Sequence, residues 1–472
     1  MAERPKMGRD RPSPGRRVFA HKMIGRLNCS WRNLSVLPTK SHVPGPGPAD
    51  TSSRLAWSTI ALLAAIQFSA YVDRAIPAVT APLFRLDLGL SDSQIGLVQG
   101  PAYVVLYVVG LLAAGNWARR FRPWRMAFVS LVTWTAGAAV FALAGGLTVM
   151  LAGRALMGAG QAAFVPAALA LVGGQADAAR RARGLSLFTT ASAGGRSGAL
   201  LLGGLALAGM ASGVAGLEAW RAASLALIAP NMVLACLVFA AARRTAAVAP
   251  PVAERGLAAA FAVVRRRPAA FLSMAAVGAA CVFVVQAAGA WLPSVLNRSF
   301  ALGPAASAAA FGGIVLVFAP LGHLSAGWLL ASRAGRREGP ARYILAGLAV
   351  VAVCAVLMPA AGRVEALVLA AGLTAAGGLT AASALIGLQA MTEQPLRPAM
   401  GSLFYVVISV AGVAGGPWFT GLLSDLLHAA AGAGGLGLAL AVTITGAAGA
   451  GALLCLTAGR LWRPLAPEER SA

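Results

Sequence analysis

Twelve apolar runs follow one another from residue 56 onward, at about 56–82, 92–115, 124–145, 147–174, 183–211, 219–241, 268–296, 304–331, 341–360, 364–391, 399–427 and 434–459. A helix needs about 20 apolar residues to cross a hydrocarbon core about 30 Å thick, and each run is long enough. Soluble domains carry about 25% charged residues. This chain of 472 residues carries 11%, and 58% of it is hydrophobic. Gly and Pro are frequent inside the runs, which membrane helices tolerate because neighbouring segments pair the freed backbone groups. The expected fold class is an all-α, multi-pass membrane protein.

The loops set its direction. Those after the second, fourth, sixth and eighth runs hold "RRFRPWR", "RRAR", the arginines of 242–267 and "RAGRREGPAR", and the C-terminus holds "RLWRPLAPEER". The opposite loops hold few: Arg85, Arg221, Arg298 and Arg363. Basic loops stay in the cytoplasm, so both termini are expected there. The net charge of +24 is therefore a topology signal and not a nucleic-acid surface. Residues 1–54 are basic and Pro-rich, hold 11 Lys or Arg, and read as a disordered cytoplasmic tail. They contain no apolar core for a secretory signal, and Met7 and Met23 are further candidate starts. The loop at 242–267 divides the runs six and six. The expected organisation is a tail (1–54), a six-helix bundle (55–241), a linker (242–267), a second bundle (268–460) and a tail (461–472). "RARGLSLF" (181–188) and "RPAMGSLF" (397–404) open the fifth and eleventh runs with matching Arg and Ser-Leu-Phe offsets, as a duplication would. The five cysteines show no paired spacing, so neither a metal site nor a disulfide framework is expected.

Four stretches carry a resemblance: "YVDR" (71–74), "DLGLSDSQIGLVQGPAYVVLY" (87–107), "RALMGAGQAAFVPAALAL" (154–171) and "AGVAGGPWFTGLLSD" (411–425). In this order and spacing they resemble the major facilitator superfamily over residues 55–460. Within it the chain is most similar to bacterial spinster-like transporters, and next to the anion:cation symporters. The resemblance implies two six-helix bundles about a central cavity, twelve crossings and transport by alternating access. The superfamily motif after the second run ends G-x-L-A-D-R-x-x-R-R. Here Gly115 and Arg120 match, but Arg119 stands where the Asp belongs. The second-half counterpart, "GWLLASRAGRR" from Gly327, also lacks its Asp. Gln161 replaces the Glu that the fourth run of these relatives carries, so a protonatable group is missing there.

Charges inside apolar runs are expensive and mark pathways or partners. Asp73 and Arg74 are neighbours on a helix and point about 100° apart. Both are expected to face the cavity, Asp73 as the protonatable coupling group and Arg74 as a gating or substrate residue, with an ion pair to other helices as the structural alternative. Arg154 lies seven residues before Gln161 on the same face. It is expected to bind a substrate anion, in room left by Gly158, or to bridge to Asp73. Arg196 sits mid-run among glycines. Gln99, Tyr103 and Tyr107 recur at four-residue spacing, so one face lines the cavity or packs its rings. His323 reads as a satisfied polar residue at a helix interface, and Gln286 is ambiguous between cavity and packing. Asp425 and His428 read as solvent-facing, and Glu365 as a boundary residue.

The function these readings support is secondary transport of a small anionic or amphiphilic solute, an organic acid or a lysolipid-like molecule, with proton coupling through Asp73. Drug-type efflux and a non-transporting sensor on the same fold are the alternatives. An enzyme is not expected, because the 15 acids and four His are scattered. No cofactor, no metal and no nucleic-acid partner is expected. The partners are a small solute and membrane lipids, for a monomer in a bacterial inner membrane.

Overall fold

The computed structural model describes residues 49–173, 178–244 and 257–462. The side chains of Gly115, Arg119 and Arg120 fall outside this description, as do the tail and Cys29. From Ala56 onward the described chain packs as one unit.

The helices run as α1 (Ala49–Leu88), α2 (Asp92–Gln99), α3 (Pro101–Arg120), α4 (Pro123–Ala142), α5 (Leu147–Gly173), α6 (Ala178–Gly209), α7 (Ala219–Ile228) and α8 (Pro230–Arg244). They continue as α9 (Leu257–Arg266), α10 (Pro268–Phe300), α11 (Pro304–Ala331), α12 (Arg333–Glu338), α13 (Pro340–Leu357), α14 (Arg363–Ala390), α15 (Arg397–Ile408), α16 (Gly415–Ala431) and α17 (Gly435–Ala458). Proline opens α3, α4, α8, α10, α11 and α13. Its fixed φ suits the first helical turn, where its missing N–H costs nothing. The same residue divides the second apolar run at Gly100–Pro101 and the sixth at Ala229–Pro230. Ser91 and Gln94 form a reciprocal cap on α2, Ser91 Oγ accepting from Gln94 N at 3.3 Å and Gln94 Oε1 from Ser91 N at 3.0 Å.

Eleven segments among the described residues are long and apolar enough to cross a membrane. The fifth run is helical as α6, but Arg196 and its Ser, Thr and Gly residues leave it more polar than the others. The expected linker loop is partly helix, since α9 occupies 257–266.

Packing divides along the chain. Helices α3, α4, α5, α7 and α8 pack among themselves, as do α10, α11, α13, α14 and α17. The two groups meet along two seams, α6 with α11 and α2–α3 with α16 and the turn before it. That turn, Ser409–Ala414, is π-helical. In the second seam the backbones nearly touch: a Cβ on Gly96 would lie 2.5 Å from the Pro417 carbonyl oxygen, and one on Gly421 2.2 Å from that of Asp92. Small residues allow such approach between membrane helices. In the first seam, Gly204 meets the Ala305 carbonyl and Gly312 meets Leu200. All these approaches lie toward the end whose loops are poor in arginine.

That end is tied further. Arg298 of α10 grips Asp92 of α2 with both nitrogens, each at 2.8 Å, and Ser424 Oγ donates to the same carboxylate at 2.7 Å. Arg85 stands 3.4 Å away, an ion pair without a hydrogen bond. Asp425 is not a solvent-facing residue. Its two oxygens accept the backbone N–H groups of Asp92 (3.0 Å) and Ser93 (2.9 Å), capping α2 across the seam. The remaining two arginines of the sparse loops are engaged as well. Arg221 pairs with Asp87 at 3.0 Å and donates to the Ala144 carbonyl at 2.7 Å, and Arg363 donates to the Phe300 carbonyl at 3.1 Å. Glu365 accepts from the Gly362 N–H and caps α14. His428 is exposed, as expected.

Candidate functional site

The charged pair of α1 splits between two environments. Asp73 is 0% exposed and turns into the first helix group, contrary to the expectation that it faces the cavity. Its Oδ2 accepts from Asn231 Nδ2 of α8 at 2.7 Å and from Trp134 Nε1 of α4 at 3.0 Å. Oδ1 has no hydrogen-bond partner among the described residues. Asn231 is oriented in turn by the Ser69 hydroxyl, which donates to its Oδ1. Asn231 stands beside the Ala229–Pro230 interruption, and only that position marked it in the sequence.

Arg74, one residue on, points the other way. Its guanidinium lies over the rings of Tyr71 and Tyr103, each at 4.7 Å, and of Tyr107 at 5.3 Å. It donates to Gln161 Oε1 from Nε at 3.3 Å and from Nη2 at 3.0 Å. The Tyr103 hydroxyl donates to the same oxygen at 2.9 Å, and Gln161 Nε2 donates to the Ala70 carbonyl at 3.0 Å. Tyr103 is buried and stacks on the half-buried Tyr107 at 5.3 Å. Arg196 of α6 is exposed and lies 5.5 Å over the Tyr71 ring, whose hydroxyl is in reach of Arg196 and Ser192. The glycines around Arg196 admit α1: a Cβ on Gly195 would lie 2.4 Å from the Phe68 carbonyl oxygen. Tyr405 of α15 is 50% exposed and faces Tyr71, Tyr107 and Arg196 from the other helix group. Four of the chain's five tyrosines therefore gather around two guanidinium groups. No ion pair to an acid engages Arg74 or Arg196 among the described residues.

Arg154 does not join this cluster as an open anion site. It is 1% exposed. Its Nε donates to the Val98 carbonyl at 3.0 Å and its Nη2 to that of Gln99 at 3.4 Å, the carbonyls left where the helix breaks before Pro101. The expected bridge to Asp73 is absent among the described ion pairs. Gly158 makes room for backbone rather than for a ligand, since a Cβ there would lie 2.1 Å from the Tyr103 carbonyl oxygen. Gly158→Val is expected to cost about 1–3 kcal/mol through overpacking. An unchanged unfolding midpoint in detergent would show that α3 and α5 are not packed so tightly. Gln99 is buried at the same break. His323 Nδ1–H donates to the Ala319 carbonyl at 2.8 Å, and the ring packs on Gly378. Gln286 is half-buried. Gly327 is exposed with nothing near its Cβ position. Cys236, Cys281, Cys354 and Cys455 are unpaired, and no His, Cys, Asp or Glu cluster that could hold a metal occurs among the described residues.

The described residues thus form two groups of helices, and a tyrosine–arginine cluster draws on both. Residues 63–361 match the family model of the Major Facilitator Superfamily, and the chain belongs to that family. It is a multi-pass membrane transporter and not an enzyme. A bacterial homologue of the human lysosomal transporter Spinster, solved inward-facing and occupied, superposes with a TM-score of 0.75 over 90% of this chain and 100% of that one, at 18% identity. An "MFS-type efflux pump" of Mycolicibacterium smegmatis is 30% identical over 205 residues, 43% of this chain and 46% of its own. A "Probable sulfoacetate transporter" of Cupriavidus necator is 29% identical over 109 residues, 23% of this chain and 25% of its own. The chain thus spans less than half the length of each curated relative it matches.

Proposed function

We propose that this chain is a secondary transporter of a small anionic solute, held between Arg74 and Arg196 in the tyrosine pocket. The observation that supports this is the pair of guanidinium groups in that pocket, with no ion pair to an acid on either among the described residues. A guanidinium next to aromatic faces suits carboxylate, sulfonate or phosphate, which it meets with charge-assisted hydrogen bonds. The helix groups 55–241 and 268–460 act as the two moving bundles, joined by the linker. Twelve crossings put both termini on the arginine-rich, cytoplasmic side of a bacterial inner membrane. The tied seams then close the far side, and the pocket opens inward. The protein acts as a monomer with lipid around it.

Asp73 carries the coupling proton. It is buried one residue from Arg74, with Arg154 as the other nearby cation, and its carboxylate ties α1 to α4 and α8. Gaining or losing a proton there changes how firmly the Arg74 helix is held. Asp73→Asn is expected to abolish the response of uptake to an imposed pH gradient while leaving solute binding. A proteoliposome assay in which the variant still follows the gradient would remove Asp73 from that role.

The ligand is found by thermal-shift measurements on the purified protein against sulfoacetate, short carboxylates, lysophospholipids and cationic drugs. The name of one relative puts sulfoacetate first. Stabilisation by one anionic class supports the anion reading, and by lysophospholipids the amphiphilic one. The efflux-pump relative favours a second reading, drug export, which stabilisation by cationic drugs alone would select. No response to any compound would favour a non-transporting sensor.

A further inference from the structure

The amide of Gln161 does two things that a carboxylate at this position would not do together. Oε1 accepts from Arg74 Nε and Nη2 and from the Tyr103 hydroxyl, at 3.3, 3.0 and 2.9 Å. Nε2 donates to the Ala70 carbonyl at 3.0 Å, and an ionised carboxylate has no proton for that bond. The side chain is buried, so each of these bonds is shielded from water. Arg74 is therefore fixed from one side without being neutralised. The groups that face Gln161 are Arg74 and Ala70 of α1, Tyr103 of α3, and Arg154 on its own helix. Tyr71, Tyr107 and Arg196 lie behind Arg74. Asp73 is the nearest carboxylate in sequence, and it is bonded away from Gln161 into α4 and α8.

We propose that Gln161 is a positioning and specificity-determining residue. It holds Arg74 and Tyr103 in place while leaving the pocket's positive charge whole at every physiological pH. The solute then binds as an ionised anion, and no proton is taken up in the pocket itself. Any coupling proton is handled elsewhere, behind α1. This deepens the anion reading above and rests on it.

The test uses benzenesulfonate and its neutral relative benzenesulfonamide, with binding to the purified full-length protein measured by titration calorimetry between pH 5 and 8. The sulfonate keeps its charge over this range, so any pH dependence belongs to the protein. The wild type is expected to prefer the sulfonate by about tenfold or more, the scale of one charge-assisted hydrogen bond. With Asp73→Asn removing the coupling proton, the sulfonate affinity is expected to stay flat with pH. Gln161→Glu is expected to erase that preference at pH 8 while leaving sulfonamide binding in place. A purely structural role would weaken both compounds together, and that result would overturn the inference. So would an unchanged preference in Gln161→Glu, or a sulfonate affinity of Asp73→Asn that changes more than about threefold across the range. Should Gln161→Glu not fold, the Asp73→Asn pH profile decides alone. A wild type with no preference for the sulfonate at any pH would instead refute the anion reading itself.

Discussion

Arg74→Gln is expected to weaken binding of a short organic sulfonate by about 100-fold or more and to stop its transport. Two charge-assisted hydrogen bonds to the solute, each about 1.5–3 kcal/mol, are lost with the guanidinium. At 1.4 kcal/mol per tenfold, about 3 kcal/mol corresponds to at least two decades in affinity. The three tyrosine rings lose their cation as well. The fold itself should survive, because Arg74 is only half-buried and makes no ion pair among the described residues. Calorimetric titration of the variant against the wild type checks this. Affinity within a factor of three of wild type would place the solute elsewhere.

The second large effect concerns the closed end. Asp92→Asn removes the carboxylate that Arg298 holds with two bonds and that Ser424 and Arg85 also approach. The Asp92 side chain is 7% exposed, so the pair is largely shielded from water. Removing one partner of a buried pair costs about 3–5 kcal/mol, because the other charge is left without compensation. The pair bridges the two helix groups, so the loss falls on the closed arrangement alone. About 3 kcal/mol shifts the ratio of closed to open forms by more than 100-fold. Spin labels at Gly145 and Ala301, one on each group at this end, should gain a longer distance component in Asp92→Asn. A distribution identical to wild type would show that the glycine seams hold the end shut without the ion pair.

Much of the fold was legible because membrane helices announce themselves by length and apolarity, and because proline marks their starts. The direction of the charged pair was only half legible. Helix geometry separates Asp73 from Arg74 by angle but does not say which of the two looks inward to the bundle. Trp134 and Asn231 decide it, and they lie 61 and 158 residues away. The tie between Asp92, Arg298 and Asp425 was missed for the same reason. Arg298 read as a sparse-loop basic residue and Asp425 as a wet helix end, and neither spacing nor periodicity relates positions 332 or 333 apart. Arg154 misled because a buried arginine can serve a ligand or broken backbone equally well. The Gly100–Pro101 dipeptide, two residues before Tyr103, was the available sign of the second. Tyr71 lay inside the quoted "YVDR" stretch, but Tyr405 had no local signal at all.

The π-helical turn before α16 has a consequence for helical phase. In an unbroken α-helix each residue turns the chain by about 100°, and a π turn inserts one residue without advancing the face. Counted through a straight helix, Tyr405 would stand roughly 80–180° away from the residues that meet α2 and α3. With one residue absorbed at Ser409–Ala414, it comes to within about 20° of Pro417 and about 60° of Gly421. A single inserted residue thus phases the lower half of the eleventh segment with its upper half. Deleting one residue from this turn would swing Tyr405 toward the lipid and leave the closed end untouched.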